Sequence, residues 1–123
     1  MAGAREPSTT AAVAAPAAPV VPDGLAPAAL DDLDDDATVD RVAIAGETAV
    51  DLAVRGLTLR RSRLAGVRLP GATFDHVEMV DVEWEDCDLS GLTLGIAVLA
   101  RVEFRRCRLS GLVAPDLAAS DVR

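Results

Sequence analysis

A five-residue register runs through this chain from residue 52 to residue 112. In that window every position of the form 5n+4 is apolar, and so is every position of the form 5n+2 except Ser62. Together 24 of these 25 positions are apolar, against six of the remaining 36. An amphipathic helix would repeat its apolar residues about every 3.6 positions and a half-buried strand every second position, so neither template matches. The register therefore predicts a repeat architecture.

The spacing within each unit suggests how the chain travels. Two inward residues separated by one outward residue form a short extended segment, and the next two residues must turn the chain before another pair points inward. Gly and Asp, which tolerate sharp corners, dominate the 5n+1 positions. Pro70 and Pro115 both stand at 5n, where a missing backbone donor does least harm. Each five-residue unit is therefore predicted to form one side of a coil.

Two segments carry a familiar motif. Residues 87–91 read Cys-Asp-Leu-Ser-Gly, and residues 107–111 read Cys-Arg-Leu-Ser-Gly. This pattern resembles that of the pentapeptide-repeat proteins, a bacterial family, and the resemblance is strong from residue 52 to residue 112. It implies an all-β fold, a right-handed quadrilateral parallel β-helix with four pentapeptides, or twenty residues, per coil.

The chain divides into two predicted parts. Residues 1–36 are rich in Ala and Pro and end in an acidic run, which is typical of a disordered tail. Residues 37–123 are predicted to form the β-helix, with about four coils. Residues 25–33 offer an alternative, a short helix or strand that folds back to cover the N-terminal end of the solenoid. A secretory signal is disfavoured because Pro16 and Pro19 interrupt the apolar stretch, so we expect a cytoplasmic protein without a membrane segment.

A coil of twenty residues makes a further prediction about charge. Residues twenty apart should stack about 4.8 Å apart, so opposite charges in one column stabilise the coil and like charges oppose it. Most outward columns do alternate in sign. The expected partners are Asp40/Arg60, Arg55/Asp75, Arg61/Asp81/Arg101, Arg63/Glu83, Arg68/Asp88/Arg108, Glu85/Arg105 and Asp86/Arg106. The like-charged exceptions are Arg41/Arg61 and Glu83/Glu103.

The overall charge excludes some partners. Residues 37–123 carry thirteen acids against eleven Arg, so no uncompensated basic surface is available for direct nucleic-acid binding. All twelve basic residues are Arg, which predicts a genome of high G+C content, as in an actinobacterium. Members of the resembled family that protect DNA gyrase present a rod of negative charge that mimics DNA. Here Glu83, Glu85, Asp86 and Asp88 each have an Arg one coil away, so that face is expected to be largely neutralised.

No catalytic, cofactor-binding or metal-binding residues are predicted, and an enzyme is not expected. Cys87 and Cys107 lie in one inward column, where buried free thiols are favoured over a disulfide or a metal site. His76 falls on an outward corner with no nucleophile or orienting partner suggested by the sequence. Trp84 occupies an inward position and is expected to fill the core, with its indole N–H bonded to a backbone carbonyl.

The outward apolar residues are the best candidates for partner contact. Val80 and Ala100 share a column, and Ile96 and Val98 lie on the same coil as Ala100; these four residues are called the apolar patch below. The repeat also runs to residue 123 without a capping segment, which predicts an open C-terminal strand edge where a subunit docks or a longer solenoid continues. The predicted function is a non-enzymatic scaffold for protein–protein interaction or self-association. The alternative is a DNA mimic that binds gyrase and confers resistance to topoisomerase poisons.

Overall fold

Parallel β-strands account for nearly all the regular structure in the computed structural model, which describes residues 18–123. One turn of 3-10 helix, Leu30–Asp32, is the exception within that range. The strands are β1 (Ala26–Pro27), β2 (Thr38–Asp40), β3 (Val42–Ala45), β4 (Ala53–Arg55), β5 (Thr58–Ala65), β6 (Thr73–Asp75), β7 (Val77–Glu85), β8 (Thr93–Leu94), β9 (Ile96–Arg105) and β10 (Asp116–Val122).

The strands stack into a parallel β-solenoid with a twenty-residue turn. The larger sheet has the order β10-β9-β7-β5-β3-β1, with β2 also paired to β5, and the smaller has the order β4-β6-β8. Partners such as Leu59 and Met79 are twenty residues apart, as predicted. The turn has four faces, which we number from one coil: face 1 is residues 56–60, face 2 is 61–65, face 3 is 66–70 and face 4 is 71–75, each with its equivalents at multiples of twenty residues.

The five-residue register places the core as predicted. Every register position from Val54 to Val102 is buried. The one polar member, Ser62, is fully buried, and its hydroxyl donates to the Arg60 carbonyl at 2.6 Å and accepts the Val42 N–H at 3.2 Å. Because both functions of the hydroxyl are satisfied, the single break in the apolar pattern places no unpaired polar group in the core.

The corners explain the Gly and Asp residues at 5n+1. From residue 36 to residue 121, each 5n+1 position except Ile96 and Asp116 has a positive φ. Gly adopts this backbone conformation at little cost and Asp tolerates it. Arg also occupies such corners, for example Arg61 with φ 47° and Arg101 with φ 52°. Ile96, which is β-branched, avoids the left-handed region in which its side chain would be strained.

The N-terminal boundary of the solenoid lies earlier than the predicted residue 37. Strand β1 pairs with β3, and Leu30 and Leu33 are only 5% and 2% exposed within the common core. The Leu30 N–H donates to Glu47 Oε1 at 2.8 Å. The prediction of a tail for residues 1–36 is therefore wrong for residues 26–33, which cover the N-terminal end as the alternative proposed. With this segment included, the solenoid has about five turns rather than four. The remainder of the predicted tail, residues 1–17, lies outside the described residues.

Charge alternates from turn to turn. Residues 57–76 carry four Arg and one acid, residues 77–96 carry six acids and no Arg, and residues 97–116 carry four Arg and two acids. Ion pairs join these turns, including Arg63–Glu83 at 2.9 Å, Arg105–Glu85 at 3.1 Å and Arg106–Asp86 at 2.7 Å. Each exposed pair contributes about 0.2–1 kcal/mol, but together they oppose slippage of one turn against the next.

Some predicted columns pair differently. Arg61 bonds Asp40 rather than Asp81, and Arg60 approaches Glu78 at 3.6 Å. The like-charged stack of Glu83 on Glu103 is present in the register. It is relieved because Arg105 and Arg123 bond Glu103, at 3.1 and 3.2 Å, while Arg63 bonds Glu83.

Candidate protein-docking surface

Large exposed apolar side chains are concentrated in the C-terminal turns. Among residues 18–123, seven large hydrophobic residues are exposed, and five of them lie between positions 96 and 117. Those five are Ile96, Val98, Leu112, Val113 and Leu117. Contiguous exposed apolar surface commonly marks a site of protein interaction, so this half of the solenoid is the candidate site.

The predicted apolar patch lies on face 1. Strand β9 pairs with β7 so that Ala100 stacks directly on Val80. Ile96 and Val98 are 45% and 44% exposed, whereas Val80 and Ala100 are half-buried. The structure thus brings all four residues together on two adjacent strands.

Face 1 loses its charge toward the C-terminus. Its outward pair is Thr58 and Arg60 on β5, Glu78 and Val80 on β7, Val98 and Ala100 on β9, and Ala118 and Ser120 on β10. The exposed Ala118, which stacks on Val98, extends the patch by one strand and was not predicted. The twenty-residue spacing from Val98 was the sequence signal that could have found it.

A second apolar feature opens at the end of the last turn. A cavity of about 270 Å³, called the terminal cavity below, is lined almost entirely by inward register residues. Its lining is Leu92, Leu94, Leu99, Phe104, Leu109, Leu112, Leu117, Val122 and Arg123. Within the described residues no further turn covers these side chains, so the register positions after Val102 are only partly buried or exposed.

Trp84 fills the core beneath this cavity. Its side chain is 1% exposed, and its ring stacks on Phe104 with a centroid distance of 6.3 Å and an interplanar angle of 16°. The prediction that the indole N–H bonds a backbone carbonyl is wrong, because this buried N–H has no acceptor among residues 18–123. A buried donor without an acceptor typically costs about 1–3 kcal/mol.

The two cysteines are free thiols in one column, as predicted. Cys87 Sγ donates to the Leu64 carbonyl at 3.4 Å, and Cys107 Sγ donates to the Trp84 carbonyl at 3.3 Å. Burial raises the pKa of the Cys87 thiol to about 11, so it is protonated at neutral pH and is a poor nucleophile. Cys107, one turn nearer the C-terminus, is half-buried.

Asp81 forms the most enclosed ionic contact of the solenoid described here. Only 8% exposed, it accepts hydrogen bonds from Arg101 Nε at 2.6 Å and Arg101 Nη2 at 2.9 Å. It also accepts the backbone N–H of Val20 at 3.1 Å, a contact that crosses 61 residues of sequence. The bidentate bond from Arg101 lowers the pKa of Asp81, with a further contribution from the Val20 amide.

Face 3 carries a charged groove of about 500 Å³, lined in part by Arg68, Asp88 and Arg108. The Asp88 carboxylate accepts the Ser90 hydroxyl at 2.6 Å and the Ser90 N–H at 3.1 Å. These bonds hold the pKa of Asp88 below its ordinary value. Arg68, Asp88 and Arg108 stack in register as predicted. Among the described side chains, however, they form no direct ion pairs, and the Asp88 carboxylate bonds Ser90 instead.

His76 lies on the surface, where the sequence placed it. Its Nδ1 is 3.2 Å from Asp75 Oδ1, and 44% of its side chain is exposed. Residues 18–123 contain no group of three or more His, Cys, Asp or Glu side chains arranged to hold a metal ion. No helix in the same range is long and apolar enough to cross a membrane.

No protein-family model matches the chain, and no curated protein matches it significantly.

Proposed function

We propose that this protein is a pentapeptide-repeat solenoid that acts as a non-enzymatic scaffold and binds a protein partner through its C-terminal half. The supporting observation is the distribution of exposed apolar residues, which are sparse in the described N-terminal turns and concentrated from residue 96 to residue 117. The five-residue register and the motif at residues 87–91 support the family assignment.

The partner surface that fits face 1 is flat and apolar. Side chains of the apolar patch project from neighbouring parallel strands, so they form a nearly planar surface rather than a pocket. Acidic groups border it at Glu78 and Asp116. A partner that places aliphatic or aromatic side chains against Val98 and Ile96, with basic or polar groups around them, would match this arrangement.

Face 2 is less suited to a partner because its charges already bond one another. On face 2, Glu103 is held by Arg105 and Arg123, and Asp81 by Arg101. A partner would have to replace these bonds at a desolvation cost. This favours the uncharged part of face 1 as the docking surface.

The test is a comparison of two matched variants. Ile96→Asp combined with Val98→Asp places two carboxylates on the patch, whereas Thr58→Asp alters the column of Val98 two turns away. Purified wild-type protein and Thr58→Asp are expected to retain the same partner after affinity capture from the native cell, and the double variant is expected to lose it. Sedimentation of the purified chains tests self-association in the same way. Equal capture and equal mass for all three proteins would reject the patch as the docking surface.

The ring of six acids in residues 77–96 favours a second candidate, the DNA mimic that binds gyrase. The Arg-rich turns on both sides of this ring weaken the candidate because they neutralise several of its carboxylates. A supercoiling assay with gyrase and a quinolone separates the two functions. We expect no protection of gyrase at excess protein, and concentration-dependent protection would instead establish the mimic.

A further inference from the structure

Two arginines on face 3 form no ion pair or hydrogen bond with the described side chains. Residues 18–123 contain eleven Arg, and eight of them pair with Asp or Glu. Of the remaining three, Arg41 lies at a corner of face 2, whereas Arg68 and Arg108 line the charged groove of face 3, called the face 3 groove below. Both groove arginines are exposed. The groove therefore contains cationic groups that the described part of the chain does not pair.

These two arginines alternate with an acid along one column. Parallel bridges join Arg68 to Asp88 and Asp88 to Arg108, so the three residues stand on successive turns. Adjacent turns are about 4.8 Å apart, which places the two arginines about 10 Å apart with the acid midway between them. The column therefore presents a basic–acidic–basic pattern over three turns.

The acid in the middle keeps one carboxylate oxygen available. Asp88 Oδ1 accepts both the hydroxyl and the N–H of Ser90, whereas Oδ2 accepts no hydrogen bond from residues 18–123. The bonds from Ser90 lower the pKa of Asp88, and the charges of Arg108 and Arg68 lower it further. A cation placed over the middle turn would therefore meet an ionised carboxylate with an unbonded oxygen.

The other row of charges in the groove is already neutralised. Arg106 donates to Asp86 through Nε at 2.7 Å and through Nη2 at 3.1 Å. The lining contains three arginines and two aspartates, so one positive charge remains in excess, although the whole chain has a net charge of −8. The face 3 groove thus attracts an acidic ligand locally, against the field of the whole chain.

The spacing of the column favours a helical ligand over an extended one. In an α-helix, residues i, i+4 and i+7 share one face and stand at 0, about 6 and about 10.5 Å along the axis. These heights differ from those of the column by only about 1 Å. Alternate residues of an extended strand rise about 6.8 Å each, so the third residue would miss its partner by about 4 Å.

We propose that the face 3 groove is a second docking site, which binds a helical segment of a protein partner carrying an acid, a base and an acid at positions i, i+4 and i+7. The two acids bond Arg68 and Arg108, and the base bonds Asp88 Oδ2. This site goes beyond the proposed function because face 3 does not include the apolar patch. Either surface can therefore fail its own test without deciding the other.

A pair of synthetic peptides tests the charge pattern. Both are alanine-based helices, one with Glu, Lys and Glu at positions i, i+4 and i+7, the other with Lys, Glu and Lys. By NMR titration at low ionic strength, the Glu-Lys-Glu peptide is expected to bind at least about tenfold more tightly. Because the net charge of −8 favours the Lys-Glu-Lys peptide, this preference requires a local basic site. Added salt is expected to weaken the binding.

Matched variants locate the bound peptide. Arg108→Glu is expected to reduce the preference for the Glu-Lys-Glu peptide to about threefold or less, and adding Arg68→Glu is expected to remove it. Arg41→Glu makes the same charge change at the third unpaired arginine, outside the groove, and is expected to preserve the preference. Urea unfolding of each variant serves as the folding control.

Several outcomes would overturn the proposal. Equal binding of the two peptides, or no binding of either one, would show that the column does not select this pattern. A preference that survives Arg68→Glu with Arg108→Glu, in a variant that remains folded, would place the peptide elsewhere. Displacement of the peptide by an equal concentration of inorganic phosphate would assign the groove to small anions. A doubled mass of the free chain that Arg108→Glu abolishes would assign it to a second copy.

Discussion

The central turns, residues 57–96, and the final residues, 97–123, follow the same five-residue register but differ in burial. In one inward column, Leu69 and Leu89 are fully buried, whereas Leu109 is only half-buried. The register position Leu112 is 42% exposed. The repeat therefore sets the direction in which a side chain points, but its burial requires a turn on each side.

The outward faces of the two regions also differ. Both regions take part in ion pairs between turns, but the outward pair on face 1 carries a charge in each central turn and none in the C-terminal region. Glu78 on β7 gives way to Val98 on β9 and Ala118 on β10. The faces of one solenoid therefore differ in role. Charged residues that pair between turns specify the register, and the uncharged outward residues of face 1 remain available for binding.

The two regions should differ most in the unfolding free energy that they lose when a core side chain is truncated. Leu89→Ala removes a fully buried side chain between two turns and should lower the free energy of unfolding by about 3 kcal/mol. Leu109→Ala acts in the same column with one neighbouring turn fewer and should cost about half as much. Urea unfolding at neutral pH measures both. Equal losses would show that the last turn is as well packed as the centre.

A smaller difference in unfolding free energy is expected between corner glycines of the two regions. An Ala at Gly71, where φ is 71°, would place its Cβ on Asp51 Oδ1 of the preceding turn. An Ala at Gly111, where φ is 74°, meets only ordinary contacts at 3.7 Å with Gly91. Gly111→Ala should cost about 1 kcal/mol for the left-handed backbone, and Gly71→Ala slightly more because the Asp51 side chain must also move. Thermal and urea unfolding of the pair would contradict this if Gly111→Ala proved the more damaging.

The ion pair between Arg101 and Asp81 joins the two regions, and it predicts that the stability of the fold depends on pH. Arg101 lowers the pKa of Asp81, so this carboxylate stabilises the fold above the ordinary Asp value of 3.8. That contribution is lost as the pH falls through the lowered value in the folded state. Asp81→Asn should cost about 1–2 kcal/mol at pH 7. The difference from wild type should shrink progressively at pH values below 3.8.

Asp86→Asn is the control for this pH series. Asp86 is also bonded by an Arg of the next turn, Arg106, which lowers its pKa, but 55% of its side chain is exposed. Its substitution should therefore cost less than that of Asp81. A loss in Asp81→Asn that stays constant from pH 7 to pH 2 would show that the charge of Asp81 is not its source.

The sequence predicted those features that repeat every five or twenty residues. It placed Trp84 and both cysteines inward, brought Val80 beneath Ala100, and paired Arg63 with Glu83. It could not predict how groups compete for one partner. Arg61 bonds Asp40, while the Asp81 carboxylate accepts bonds from Arg101 and Val20. The Val20 contact has no local signal in the sequence because it joins residues 61 positions apart.

The two regions should also differ in local opening, which the cysteine column compares directly. Cys87 belongs to the central turns, is buried, and has a pKa raised to about 11, whereas Cys107 lies half-buried in the final turn. Reaction with a maleimide requires a thiolate and an opening, and opening should cost less where only one neighbouring turn holds the strand. Native protein at pH 8 should therefore label at Cys107 at least about tenfold faster than at Cys87.

The variants Cys87→Ala and Cys107→Ala, followed by intact mass, assign each labelling rate to one thiol. Unfolding of the wild-type chain without reductant should release two reactive thiols. Equal rates at the two positions would mean that the final turn opens no more readily than the centre, and that its exposed leucines are held by contacts as strong as those of the buried core.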